Sequence, residues 1–257
     1  MILAAQIGTL FAYIGGTVFV AAGVYRSVRR RRLDSLLLVC ISAISFSWLE
    51  APYDWSMYAQ FPPFMPRMPS WWPFNMTWGG LPAAVPPGYI AYFVLPTLVG
   101  AALGRTLAAK LGWRRPFALL GCGLIVGFAW ALTFNAVIGA QLGVFYYGYV
   151  IGGLAIFEGT RSQYPLYDAL AMGILVMVFA YLLGRTDPAD RTIIERWSDS
   201  KTRSRLAAGV LSVVSFIVIG HAVYGAVFAP HLITKLARLV DVSSNVQLYP
   251  DVPNQPH

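Results

Sequence analysis

The sequence predicts an all-α, polytopic membrane protein: a bundle of six transmembrane helices with a Pro- and Trp-rich loop at one end. Three observations carry this. Of 257 residues, 57% are hydrophobic and 12% charged, about half the charged fraction of a soluble domain. Several apolar runs reach the roughly 18 residues needed to cross about 30 Å of hydrocarbon. The Lys and Arg residues that give a formal charge of +8 fall between those runs rather than on one face. Because hydrocarbon cannot hydrogen-bond an exposed backbone, runs of this length read as helices that satisfy their own amides.

The first span runs from Ile2 to Tyr25 and ends in Arg26 and the block Arg29 to Arg32, which prefers the cytoplasm. It is too long for the apolar region of a cleaved signal peptide. A second span, Ser35 to Leu49, returns outward and is expected to break or kink at Pro52. Residues 51–87 form an outer lid loop, since eight prolines between Phe61 and Pro87 forbid a regular helix while Trp71, Trp72 and Trp78 suit a membrane interface. The third span runs from Gly88 to Leu107 with a kink at Pro96, the fourth from Phe117 to Ala140, the fifth from Leu166 to Leu183 and the sixth from Leu206 to Phe228. Residues 141–164 then begin and end on the outside as an interfacial or re-entrant piece. The alternative is a seventh crossing at Val144 to Phe157, which puts a basic loop on the wrong side. Residues 185–205 form a cytoplasmic loop and residues 232–257 a polar tail.

This order places 15 of the 19 Lys and Arg in three cytoplasmic loops and both termini outside, in an integral protein of the plasma (inner) membrane. One membrane domain, 1–257, is the simplest organisation. With the basic residues serving orientation, no nucleic-acid partner is expected. Cys40 and Cys122 lie within spans and are expected to stay free.

No metalloprotease helix, nucleophile elbow, P-loop or dinucleotide fingerprint is present, and three histidines cannot build a desaturase iron site. Metal and cofactor are therefore both expected to be absent. Polar groups inside spans are costly, so each is a candidate for function. Ser47, Glu50 and Asp54 fall at i, i+3 and i+7 and share a face if the helix survives Pro52. Two crowded carboxyls suit one of them to hold and give a proton. The rival reading has both acids facing interfacial water. Asn135, Asp168 and His221 map to the same depth, with Glu158 nearby, so a shared cavity is the natural reading. Each has a rival: Asp168 as an acid at a helix N-terminus, Glu158 in a loop ion pair with Arg161, His221 bonded to a neighbour.

The segment Trp48-Leu-Glu-Ala-Pro-Tyr-Asp-Trp55, the Pro- and Trp-rich loop after it, and Pro87-Gly-Tyr-Ile-Ala-Tyr92 resemble the AveC-like spirocyclase family of polytopic actinobacterial membrane proteins. The resemblance is carried mainly by residues 40 to 110. It implies a membrane enzyme that closes a dihydroxyketone to a spiroketal in polyketide assembly, with dehydration as a related activity. Such closure needs a proton for a departing hydroxyl, a carboxylate beside an oxocarbenium-like centre, and exclusion of water. The candidate catalytic residues are Glu50 as acid, Asp54 or Asp168 as base or stabiliser, and His221 as an orienting group. Asn135, Trp55, Tyr58, Trp71, Trp72, Trp78 and Glu158 are candidates for substrate binding. The expected partners are a hydrophobic small-molecule or lipid substrate, membrane lipids and a membrane protein. The alternative function is a non-catalytic lipid-binding or accessory subunit.

Overall fold

The computed structural model describes residues 2–77 and 79–239. Six helical segments are long and apolar enough to cross a membrane: 2–30, 35–56, 85–111, 115–140, 166–184 and 205–236. The protein is thus mostly helical with six candidate spans, and residues 141–164 supply none. They hold only short pairings, Tyr146–Tyr147 against Ala59–Gln60 and Ala155–Ile156 against Tyr164–Pro165. The seven-span alternative fails because Gly and Tyr turns break the Val144 to Phe157 run before a helix can form.

Helix α1 (Ile2–Arg30) packs on α2 (Ser35–Phe46) and on α3, the long Val85–Leu111 helix. The second span does not stop at Pro52. A 3-10 turn, Ser47–Leu49, ends α2, and a new short helix, Glu50–Ser56, starts at once. Pro52 sits in the first turn of that helix, where its missing N–H has no partner to lose. The irregular loop therefore covers 57–84 rather than 51–87. Helix α4 (Arg115–Ala131) continues as a π-helix, Leu132–Ala140, and packs along α5 (Leu166–Gly184). That contact is close because a Cβ on Gly127 would lie 2.9 Å from Gly173 Cα. Small residues at such crossings let backbones approach where lipid gives no hydrophobic push.

Helix α6 (Ile193–Lys201) occupies the middle of the 185–205 loop and is started by a Thr192–Glu195 capping box. Helix α7 runs from Arg205 through Pro230 to Leu236, so residues 232–236 belong to the last span rather than to a polar tail. Residues 240–257 lie outside the described ones. Below the site, Phe46 is fully buried, with ring centroids of Phe93 and Tyr224 at 5.5 and 5.3 Å.

The three basic loops meet at one end. Arg30 pairs with Asp190 at 2.9 Å, Arg32 with Glu195 at 3.5 Å, and Arg115 donates to the Gly184 carbonyl at 2.7 Å. Asp187 in this cap accepts from the Arg191 amide and guanidinium, which hold its carboxyl below the ordinary range. The candidate acids lie at the opposite end, where residues 57–84 and 141–165 cover the bundle.

Candidate functional site

A cavity of about 380 Å³ opens at that end among α1, the Glu50–Ser56 helix, α3, the π-helix and α5. Its wall is mostly apolar, yet it carries the carboxyls of Glu50, Asp54 and Asp168. No Lys, Arg or His lines it among the described residues. The reading in which both second-span acids face water is overturned: Asp54 is 5% exposed, and both acids line the cavity.

Asp168 is the most heavily bonded group. Its Oδ1 accepts from Tyr53 at 2.7 Å, and its Oδ2 accepts from Tyr164 at 2.6 Å, Tyr147 at 3.2 Å and the Asn135 amide at 3.3 Å. Four donors fill the roughly four acceptor positions of a carboxylate, which fixes the Asp168 side chain in place. Asp168 is in the first turn of α5, as the helix-terminus reading requires, but four convergent donors outweigh the 0.3–1 kcal/mol typical of that effect. Two of the donors lie outside the spans. Burial, with Asp168's own charge adding to it, pushes the Tyr147 and Tyr164 phenols far above their ordinary range, so both stay protonated. Asn135 reaches Asp168 from the π-helix, a widened turn of the kind that often occurs at functional sites.

Glu50 has a different setting. Its Oε2 accepts from Tyr89 and from Tyr224, the latter at 2.6 Å, and the two phenols are 2.7 Å from each other. Three mutual oxygen contacts are fed by two phenolic protons, and a proton on Glu50 would complete the ring. Asp54, one turn on, accepts from Thr77 at 3.4 Å. Ser47 takes no part, because its hydroxyl donates back to Ile44.

Several sequence-based expectations need correction. His221 does not line the cavity: its Nε2 accepts from the Trp48 indole at 3.1 Å and its Nδ1 donates to the Ile217 carbonyl at 2.9 Å. Tyr224, one turn along, is the residue of that helix that reaches Glu50, from behind the cavity wall. Trp71 is 75% exposed, and neither it nor Trp72 lines the cavity; Phe61 and Met65 of the same loop do so instead. Trp78 lies outside the described residues. Trp55 and Tyr58 face away, with Lys235 Nζ 4.0 and 3.8 Å from their ring centroids. Glu158 is on the surface, accepting from the Gly153 amide at 3.0 Å.

The residues around these carboxyls that sequence reasoning missed are tyrosines that donate to them: Tyr53, Tyr89, Tyr147 and Tyr164. Aromatic residues near a span end read as an interface belt. The available signals were Tyr53 lying between Glu50 and Asp54, and Tyr164 one turn before Asp168. Among the described residues no group of three His, Cys, Asp or Glu is placed to hold a metal.

A model of the family described as "Spirocyclase AveC-like" matches residues 28–255, well beyond the stretch that carries the sequence resemblance. No curated protein and no solved structure matches the chain. The match supports a cyclase-type role for a protein with six apolar spans. The chain belongs to the AveC-like spirocyclase family.

Proposed function

We propose that the acid-lined cavity closes a hydrophobic dihydroxyketone of polyketide type to a spiroketal, or dehydrates a related substrate, without a cofactor. The observation that carries this reading is three carboxyls and, among the described residues, no cationic side chain around one largely apolar cavity. Such a wall suits a reaction whose transition state gains positive charge in a dry site.

Closure begins when one substrate hydroxyl adds to the ketone to give a hemiketal. Glu50, the proton-bearing member of the ring with Tyr89 and Tyr224, gives its proton to the hemiketal hydroxyl, which leaves as water. Asp168, fixed by Tyr53, Tyr147, Tyr164 and Asn135, remains anionic and faces the oxocarbenium-like centre. The second hydroxyl attacks that centre and loses its proton to Asp54, from which it returns to Glu50. One water leaves, two carbon–oxygen bonds form to the former ketone carbon, and no electrons are transferred. The site would lie on the non-cytoplasmic side of the plasma membrane, opposite the basic loops, with both termini outside.

Glu50→Gln tests the assignment, since it keeps the shape of the side chain and removes the acid. The purified protein in lipid nanodiscs is expected to lose about 10²- to 10⁴-fold in turnover while still binding the dihydroxyketone. Unchanged turnover would overturn the catalytic role and leave the cavity as a lipid-holding site of an accessory subunit.

A further inference from the structure

The cavity is not sealed on its membrane side. Its lining runs outward between α1 and the π-helix onto Ile7, Ile138 and Leu142, which are 57%, 41% and 48% exposed. Ile7 and Ile138 lie on candidate spans, where exposed side chains would meet lipid, and Leu142 lies just past the end of one. The α1 wall of the opening is made of small residues, Ala4, Ala5, Gly8 and Ala12. At Gly8 an added Cβ would meet no atom within 4 Å. The opening is spanned at Phe11 and Phe134, whose ring centroids are 5.3 Å apart. Phe134 in turn lies 5.8 Å from the ring of Tyr92. Tyr92 lines the cavity beside Asn135, and its buried hydroxyl makes no hydrogen bond of ordinary geometry, with the Asn135 side chain as its polar neighbour. A buried phenol whose hydrogen bond is poorly made costs free energy, and one lining a cavity can recover it by bonding a ligand oxygen.

We propose that the substrate enters sideways from the lipid leaflet, between α1 and the π-helix, leaving an apolar chain beside Gly8 and Ile138 and presenting an oxygen to the Tyr92 hydroxyl. This rests on the cavity being the substrate site and narrows the substrate class to amphiphiles that partition into the bilayer: a long apolar chain with its oxygen functions grouped at one end. The other end of the opening faces loop 57–84, where Phe61 and Met65 close over the cavity. Entry from water would have to displace them, whereas the lateral path is already open.

The test uses the full chain in nanodiscs and a long-chain hydroxyketone carrying a diazirine in mid-chain. After irradiation, the adducts are mapped by peptide mass spectrometry. Lateral entry predicts adducts within residues 4–12 and 132–142. Gly8→Trp, at a position where an added Cβ meets no atom within 4 Å, puts an indole in the opening and should lower labelling at least tenfold. Gly121→Trp, also at a position with open space around its Cβ but on the opposite half of α4, should leave it unchanged. Tyr92→Phe should weaken labelling of the wild-type positions several-fold. Adducts concentrated in residues 57–84, labelling indifferent to Gly8→Trp, or no saturable labelling would each overturn the proposal. The readout is binding. Correct labelling with full turnover in Glu50→Gln would sink the chemistry and keep the route, and the reverse pair of results would sink only the route.

Discussion

Replacing Asp168 by Asn separates a four-donor anion site from an ordinary acid at a helix start. The carboxylate accepts from Tyr53 on one oxygen and from Tyr147, Tyr164 and Asn135 on the other. An amide can keep only one acceptor oxygen. If that oxygen takes the Oδ2 side, its NH₂ meets the Tyr53 hydroxyl, which can rotate to accept; if it takes the Oδ1 side, three donors face an NH₂. The favoured orientation loses charge assistance in all four bonds and reverses one. Hydrogen bonds to a charged group contribute roughly 1.5–3 kcal/mol each against about 0.5–1.5 for neutral ones. With partial compensation by rotating hydroxyls, a loss of about 2–4 kcal/mol is expected. A helix-dipole role alone would cost about 0.3–1 kcal/mol. Cys40, 1% exposed, gives a convenient assay: in a Cys122→Ser background, a thiol-reactive fluorophore reports thermal unfolding. A drop of roughly 4 °C or more is expected, using about 2–4 °C per kcal/mol for a chain of this size, together with about 10²- to 10³-fold slower turnover from loss of the counter-charge. A shift below about 2 °C with turnover intact would refute the argument that these donors hold a catalytically placed anion.

Other substitutions follow from the same geometry. His221→Gln should cost about 1 kcal/mol through the lost Trp48 bond and change turnover by less than about threefold; a hundredfold loss would return His221 to the mechanism. Replacing Trp71 and Trp72 together by Ala should leave hydroxyketone labelling of the cavity unchanged, since neither side chain lines it; a large loss would restore the aromatic lid. In the cap at the basic end, Asp187 is held below its ordinary value of 3.8 by the Arg191 amide and guanidinium. A depressed carboxyl stabilises above that ordinary value, and the contribution fades as pH falls through the folded one. Protection factors for hydrogen exchange across residues 185–204, corrected for the intrinsic rate at each pH, should therefore fall on acidification below about pH 4 in the wild type, and Asp187→Asn should already be less protected at neutral pH and respond less to acid.

The spans were legible because apolar length is a local property that the bilayer enforces. Their ends were less so, since each depends on what the next turn can do. Pro52 was expected to break or kink the second span, but the break comes earlier, at the Ser47–Leu49 turn, and Pro52 lies in the first turn of the helix that follows; α7 carries on through Pro230 to Leu236. Depth was legible too: Glu50, Asp54, Asn135 and Asp168 do share one cavity. Lateral position was not. His221 and Tyr224 are one turn apart, yet the first binds Trp48 and the second reaches Glu50. Which of them meets Glu50 depends on the azimuth of α7, set by contacts such as Ser42 donating to the Phe216 carbonyl at 2.7 Å. Hydrophobic pattern contains no record of that contact. The tyrosine donors escaped for a related reason, because a tyrosine at a span end has the same composition whether its hydroxyl meets water or a buried carboxylate.

The central claim is that this cavity expels one water from a dihydroxyketone using the Glu50 proton. The most direct measurement follows a dihydroxyketone with isotopically labelled ketone oxygen, incubated at neutral pH with the purified wild-type protein and with Glu50→Gln in nanodiscs. The account predicts an unlabelled spiroketal, labelled water released in equal amount, and a wild-type rate at least a hundredfold above both Glu50→Gln and protein-free nanodiscs. Equal rates in all three samples, or a cyclic product that keeps the labelled oxygen, would contradict it.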